Sequence, residues 1–168
     1  MKNKIVKGVL FVSTITIMFA CNTKKEEPVA TAPAEVVVDK EQIKKDIQAK
    51  ENEFAATYNA GEEKNIGYYA DDATSFYPNR APLVGKQAII DFLKLNLISN
   101  TDKISFQTNE VFPSTDGNQI VEVGYFKLSD SSNNVINTGN YMSLFEKRNG
   151  KYVCVRDMST SDMSIPSK

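Results

Sequence analysis

The chain has 168 residues, with 20 Lys and Arg against 21 Asp and Glu, no His, no Trp and two Cys. Without His there is no Ser-His-Asp or Cys-His nucleophile, no His-ligated metal and no imidazole switch near neutral pH. Two Cys cannot build a four-thiolate zinc site or a disulfide framework, and a near-neutral charge leaves no electrostatic footprint for nucleic acid.

The N-terminus reads as an address. Lys2, Lys4 and Lys7 precede an apolar run of 12 residues, Gly8 to Phe19. That run is short of the roughly 20 residues a bilayer crossing needs, and it suits the h-region of a signal peptide. It ends in Met18-Phe19-Ala20-Cys21, which resembles the lipobox of bacterial lipoproteins, although Phe19 stands where a small residue is usual. The resemblance implies cleavage after residue 20 and a palmitate-type acyl anchor on Cys21, stable because it carries more than one chain. Cleavage would remove three Lys and no acid, leaving 17 basic and 21 acidic residues, a net charge of −4.

Residues 21–38 then form a tether, rich in Ala, Pro, Thr, Glu and Lys and without an aromatic residue, a composition that cannot bury enough surface to order itself. Within it, Lys24-Lys25-Glu26-Glu27 resembles the export signal of surface lipoproteins in Bacteroidota and reads equally well as a solvated charged linker. Asn22 is not Asp, so the usual inner-membrane retention signal is missing and the expectation is an outer-membrane lipoprotein of the bacterial envelope.

The folded domain is expected over residues 39–160, with a loose polar tail beyond it. Asp39 is a helix N-cap with Gln42 three residues on. Ile43, Ile47, Phe54 and Tyr58 share one helical face, and Gly61 stops the helix. A short helix over residues 62–69 turns Ile66, Tyr69 and Ala70 inward, and Asp71-Asp72 breaks it. Residues 73–77 form a strand, Pro78 to Pro82 a rigid loop, and Lys86 to Ile98 a helix with Ile89, Phe92, Leu93 and Leu97 on its apolar face.

The period then changes. Strands follow at 104–109, 118–128, 135–147 and 152–158, separated by polar turns, with Arg148-Asn149-Gly150 as a hairpin signal. In the second of these, Ile120 and Glu122 share one face, and Val121, Val123 and Tyr125 the other. The arrangement is α+β: a curved antiparallel sheet with helices at the N-terminal end.

The run Phe54 to Gly61, the segment Tyr68-Tyr69-Ala70-Asp71-Asp72-Ala73, Pro78, the stretch Val84 to Ile89 and the hairpin Phe145 to Tyr152 resemble SnoaL-like domains of the nuclear transport factor 2-like superfamily, and within it the family labelled domain of unknown function 4440. The resemblance implies a cone, a bent sheet wrapped around a long helix, and a homodimer formed through the sheet's outer face. It leaves function open, because this fold hosts isomerases, cyclases, dehydratases and binding modules.

Steroid-isomerase chemistry uses an Asp base with a Tyr and a protonated Asp as oxyanion donors. Matched on the shared landmarks, the base position holds Tyr77, the helical Tyr position holds Phe54, and the strand over 135–145 carries no acid. What remains to line the cone is aromatic, with Tyr58, Tyr77, Tyr125 and Tyr141 as candidate ligand contacts and Phe54, Tyr69, Phe76 and Phe92 as further wall. Asp157 is the one candidate acid, on a strand face with Val153 and Val155, opposite Tyr152, Cys154, Arg156 and Met158. Arg80, in the proline-flanked loop, is a candidate anion holder or a plain surface cation. Cys154 reads as a small buried hydrophobe. No metal cluster, phosphate loop or cofactor motif is present. The sequence thus favours a binding protein for a small apolar or aromatic molecule. The alternatives are an enzyme using Asp157 and a dimeric interaction module.

Overall fold

The computed structural model describes residues 37–98 and 101–163. The expected signal segment, Cys21 and nearly all of the tether lie outside these residues. No helix among the described residues is long and apolar enough to cross a membrane.

The first helix, α1 (Lys40–Asn59), starts where expected: the Asp39 side chain accepts from Gln42 N at 3.0 Å. It ends at Ala60, and Gly61 takes φ +72° beyond the cap. The short helix expected over residues 62–69 is not formed. Residues Glu63–Asn65 make a single 3-10 turn, and the chain enters strand β1 (Tyr69–Phe76) directly. Ile66, Tyr69 and Ala70 are buried as expected, but Asp71 and Asp72 do not break a helix. They are exposed residues inside β1, at an irregularity between Tyr69 and Thr74, where Arg148 pairs with Asp72. The aromatic and β-branched residues flanking them prefer the pleated surface, and the bulge lets two carboxylates point to water.

After the two-residue strand β2 (Leu83–Val84) and the helix α2 (Lys86–Ile98), the chain crosses to the far edge of the sheet. It returns as a meander, β3 (Lys103–Pro113), β4 (Gln119–Ser129), β5 (Val135–Arg148) and β6 (Lys151–Ser161), giving the order β2-β1-β6-β5-β4-β3. The sheet is mixed rather than wholly antiparallel, because returning β6 runs parallel to β1. Asn149 and Gly150, at φ 52° and 77°, close the β5–β6 hairpin in the left-handed pair such a two-residue turn demands. Ser159 to Ser161 lie beyond residue 158, where the last strand was expected to end. They extend β6, pair with β5, and Thr138 Oγ1 donates to Asp162. Residues 164–168 lie outside the described residues.

The edge of β3 is covered by α1. Gln48 Nε2 donates to Phe106 O and Gln48 Oε1 accepts from Thr108 N, while Asn59 donates to Ile104 O and accepts from Ile104 N. Two side-chain amides thus stand in for a neighbouring strand, which satisfies an edge that would otherwise template pairing. They also hold the helix inside the curve of the sheet. The core lies between them, with Ile47, Ile89, Val111, Ile120, Phe145 and Cys154 fully buried.

Candidate functional site

Between α1 and the concave face of the sheet lies a cavity of about 430 Å³, inside the range of roughly 300–1,000 Å³ typical of small-molecule sites. Its wall is mostly aromatic. Phe54 stacks on Tyr58 (6.1 Å) and meets Phe106 edge-on at 5.5 Å, and Tyr77 leans on Phe92 at 4.7 Å. Three of the four expected ligand tyrosines, Tyr58, Tyr77 and Tyr141, line it. Tyr125 does not: inward Gly124 and Phe126 flank it on β4, so the strand's alternation turns it to the other face. Tyr68, Phe106 and Phe126 line the cavity without having been singled out. Arg80 stays exposed and lies over the Phe92 ring at 4.0 Å, and it is not part of the lining.

Asp157 lines the cavity, but not through the simple alternation expected of β6. Phe145 pairs with Cys154 and Leu144 with Arg156, so Val155 is an extra residue in the ladder. The bulge lets Cys154 and Asp157, three residues apart, both contribute to the interior. Tyr69 donates to Asp157 Oδ2 at 3.0 Å. Ser75 is the register neighbour of Asp157, and Ser75 Oγ and Asp157 Oδ1 are both out of solvent without a hydrogen-bond partner. Burial pushes the Asp157 pKa up, and the nearby Ser75 and Tyr69 hydroxyls pull it partly back. The Ser75 hydroxyl is close enough to favour the charged carboxyl but is not aligned as a formed bond.

A second polar group sits where none was expected. Glu51 on α1 is 2% exposed and Glu122 on β4 is 0% exposed. Tyr68 donates to Glu51 Oε1 at 2.5 Å. Since that uses the only phenol proton, Ser143 Oγ is the donor in its 3.2 Å contact with Tyr68. Glu122 Oε1 accepts from Thr108 at 2.6 Å and Tyr141 at 2.9 Å. Glu122 Oε2 meets no hydroxyl or amide. The Glu51 carboxyl is within hydrogen-bond reach of the Glu122 carboxyl, so a proton held between them serves both. Burial first, then the Glu122 charge, push the Glu51 pKa well up. Burial also raises that of Glu122, while hydrogen bonds from Thr108, Glu51 and Tyr141 oppose it. Two adjacent buried charges would be prohibitive, so the pair holds a proton between its two carboxyls.

The Tyr141 phenol reaches Glu122 because Gly124 lies beneath its ring, where any Cβ would overlap the ring atoms. Glu51 was legible in principle. The inward stripe of α1 steps by 4, 7 and 4, and Glu51 stands four residues after Ile47, in the gap. Cys154 is a free, buried thiol, as expected. Among the described residues no group of three or more Cys, Asp or Glu is placed to hold a metal ion.

No family model matches the chain, and no curated protein matches it. Solved structures do. A ketosteroid isomerase-like protein from Erwinia carotovora atroseptica is 16% identical, with a TM-score of 0.58 over 72% of this chain and 97% of that one. An NTF-2 like protein of unknown function from Shewanella oneidensis is 19% identical, with a TM-score of 0.58 over 68% and 96%. A protein from Catenulispora acidiphila in complex with S-DNPA is 12% identical, with a TM-score of 0.62 over 73% and 95%. At these identities the likeness is one of fold: an α+β chain of the nuclear transport factor 2-like kind, its curved mixed sheet wrapped on a helix.

Proposed function

We propose that this is a SnoaL-like lipoprotein, anchored through Cys21 to the outer membrane of a bacterial envelope, whose cavity binds a small, largely apolar or aromatic molecule. One observation carries the binding reading. A cavity of about 430 Å³ has aromatic walls, and it also holds Asp157, whose Oδ1 has no partner, beside the unpartnered Ser75 Oγ. A filled core would have no such void, and a purely structural polar pair would be satisfied. The solved structure holding S-DNPA is a protein of similar fold with a ligand. The anchoring part rests on Lys2, Lys4, Lys7, the apolar run and Cys21.

A second reading is supported by the same acid. Tyr69 holds Asp157 Oδ2 and leaves the other oxygen uncommitted, an arrangement that suits proton transfer as well as binding. The steroid-isomerase positions remain vacant, so we place binding first. Dimerisation through the outer sheet face has support in the partly exposed apolar row of Val123, Met142 and Met158 on adjacent strands.

The test is titration of the full chain with Nile red, a neutral dye that brightens in apolar surroundings. The reading expects one saturable site per chain. It expects Ser159→Trp, which fills the cavity from a half-exposed position of β6, to remove that site while the circular dichroism spectrum stays unchanged. No saturable site in the wild type, or full binding in Ser159→Trp, overturns it.

A further inference from the structure

The side chains of the cavity wall that can carry charge near neutral pH are one-sided. Asp157 and Glu51 line it, and among the described residues no Lys or Arg does. The aromatic faces add to this. Each ring carries negative potential on its face, which attracts a cation within about 6 Å of the ring centre. Phe54, Tyr58, Phe106 and Tyr77 put such rings in the wall of one void, while the Phe92 ring beside them already carries Arg80. An anionic ligand would meet carboxyls without a compensating donor pair. A neutral ligand without a donor would leave Asp157 Oδ1 as unpaired as it is now, and a neutral donor would satisfy it without using the carboxyl's capacity for charge.

From this wall we infer that the ligand is an organic cation: a protonated amine on a small aromatic or alicyclic body, its ammonium beside Asp157 and its apolar part among the rings. The inference rests on the cavity being a binding site and deepens that reading by naming the ligand's charge.

Binding has a proton balance. The groups facing Asp157 are Tyr69 and Tyr77 from the β1 side, Glu51 from α1 and Cys154 from β6, all neutral in their protonated forms. None supplies a positive charge, so the ligand's ammonium is the counter-ion that lets Asp157 ionise. Where the empty cavity holds Asp157 protonated, binding releases one proton, and affinity rises with pH until the amine itself loses its charge.

The experiment uses three probes sharing one phenol ring: tyramine (cation), 4-ethylphenol (neutral) and 4-hydroxyphenylacetate (anion). Each is titrated calorimetrically into the full chain in neutral detergent. Tyramine is expected to bind about tenfold more tightly than 4-ethylphenol, with 4-hydroxyphenylacetate weakest. Asp157→Asn is expected to abolish the preference for tyramine over 4-ethylphenol, so that the two probes bind alike. The wild-type ranking stands as a test even if that variant fails to fold. If 4-ethylphenol matches tyramine, or the anion binds best, the cationic ligand is overturned and the cavity remains a binding site. If none of the three binds while Nile red does, the cationic aromatic ligand is overturned and the binding reading stands; if Nile red fails as well, both fall.

Discussion

Glu51 of α1, in the cavity wall, and Glu122 of β4, behind it, meet carboxyl to carboxyl and share one proton, with Tyr68 fixing the first and Tyr141 the second. The pair makes stability depend on pH in an unusual sense. Both folded-state pKa values lie above the ordinary 4.5, so the unfolded chain gives up these protons first. Stability is therefore full below about pH 4.5 and is lost as pH rises through the folded-state values, at about 1.4 kcal/mol per pH unit for each proton. Asp157, raised by burial above 3.8, acts in the same sense. Asp116, held down to about 2 by the Ser114 hydroxyl and the Asn118 amides, acts in the opposite sense and only in strong acid.

The melting temperature should therefore fall between pH 5 and pH 8. Glu51→Gln keeps an acceptor for Tyr68 and a donor for Glu122 without a titrating proton. Calorimetry should find it melting near the wild type at pH 4.5 and higher at pH 8. A wild-type melting temperature that climbs from pH 5 to 8 contradicts the shared proton.

The two buried serines of the site should behave oppositely. Ser143 donates to Tyr68, so Ser143→Ala should cost about 1 kcal/mol. Ser75, 1% exposed, has a hydroxyl without a partner, so Ser75→Ala removes a desolvated group and should be neutral or stabilising by up to about 1 kcal/mol. Urea midpoints for the two variants measure this. A Ser75→Ala variant as destabilised as Ser143→Ala would make Ser75 an ordinary structural residue.

Gly124 should not tolerate a side chain. An alanine Cβ there overlaps the Tyr141 ring and forces it off Glu122. Overpacking of this kind costs about 2 kcal/mol, and the lost hydrogen bond adds to it. Gly124→Ala should lower the urea midpoint more than Tyr141→Phe, which removes the hydroxyl alone. Equal midpoints for Gly124→Ala and wild type would mean the ring has room to move.

Lipidation is tested in cells. Cultures fed an alkyne palmitate should label the wild-type protein and leave Cys21→Ala unlabelled and absent from the outer-membrane fraction. A Cys21→Ala protein that still labels would move the anchor to another residue.

Most of the frame was written in local pattern. Asp39 with Gln42 marked the start of α1, the turn residues Asn149 and Gly150 marked the last hairpin, and inward alternation in β4 already paired Ile120 with Glu122. Two kinds of feature were not legible. Bulges shift the alternation by one residue, and the extra residue Val155 brings Cys154 and Asp157 both inward where strict alternation separates them. Parallel pairing of β1 with β6 is a long-range contact that no local signal announces. The Glu51–Glu122 pair belongs between these cases. Each acid sat at an inward position in the sequence pattern, but their meeting depends on how α1 lies against the sheet.

Whether the cavity carries a ligand is read plainly by native mass spectrometry of the full chain, extracted gently from its own membranes. A ligand site should show as a discrete small-molecule adduct, one per chain beyond the acyl anchor, released on mild activation and missing from Ser159→Trp. A wild-type protein that carries only its anchor, with a mass identical to that expected for the empty chain, would contradict it.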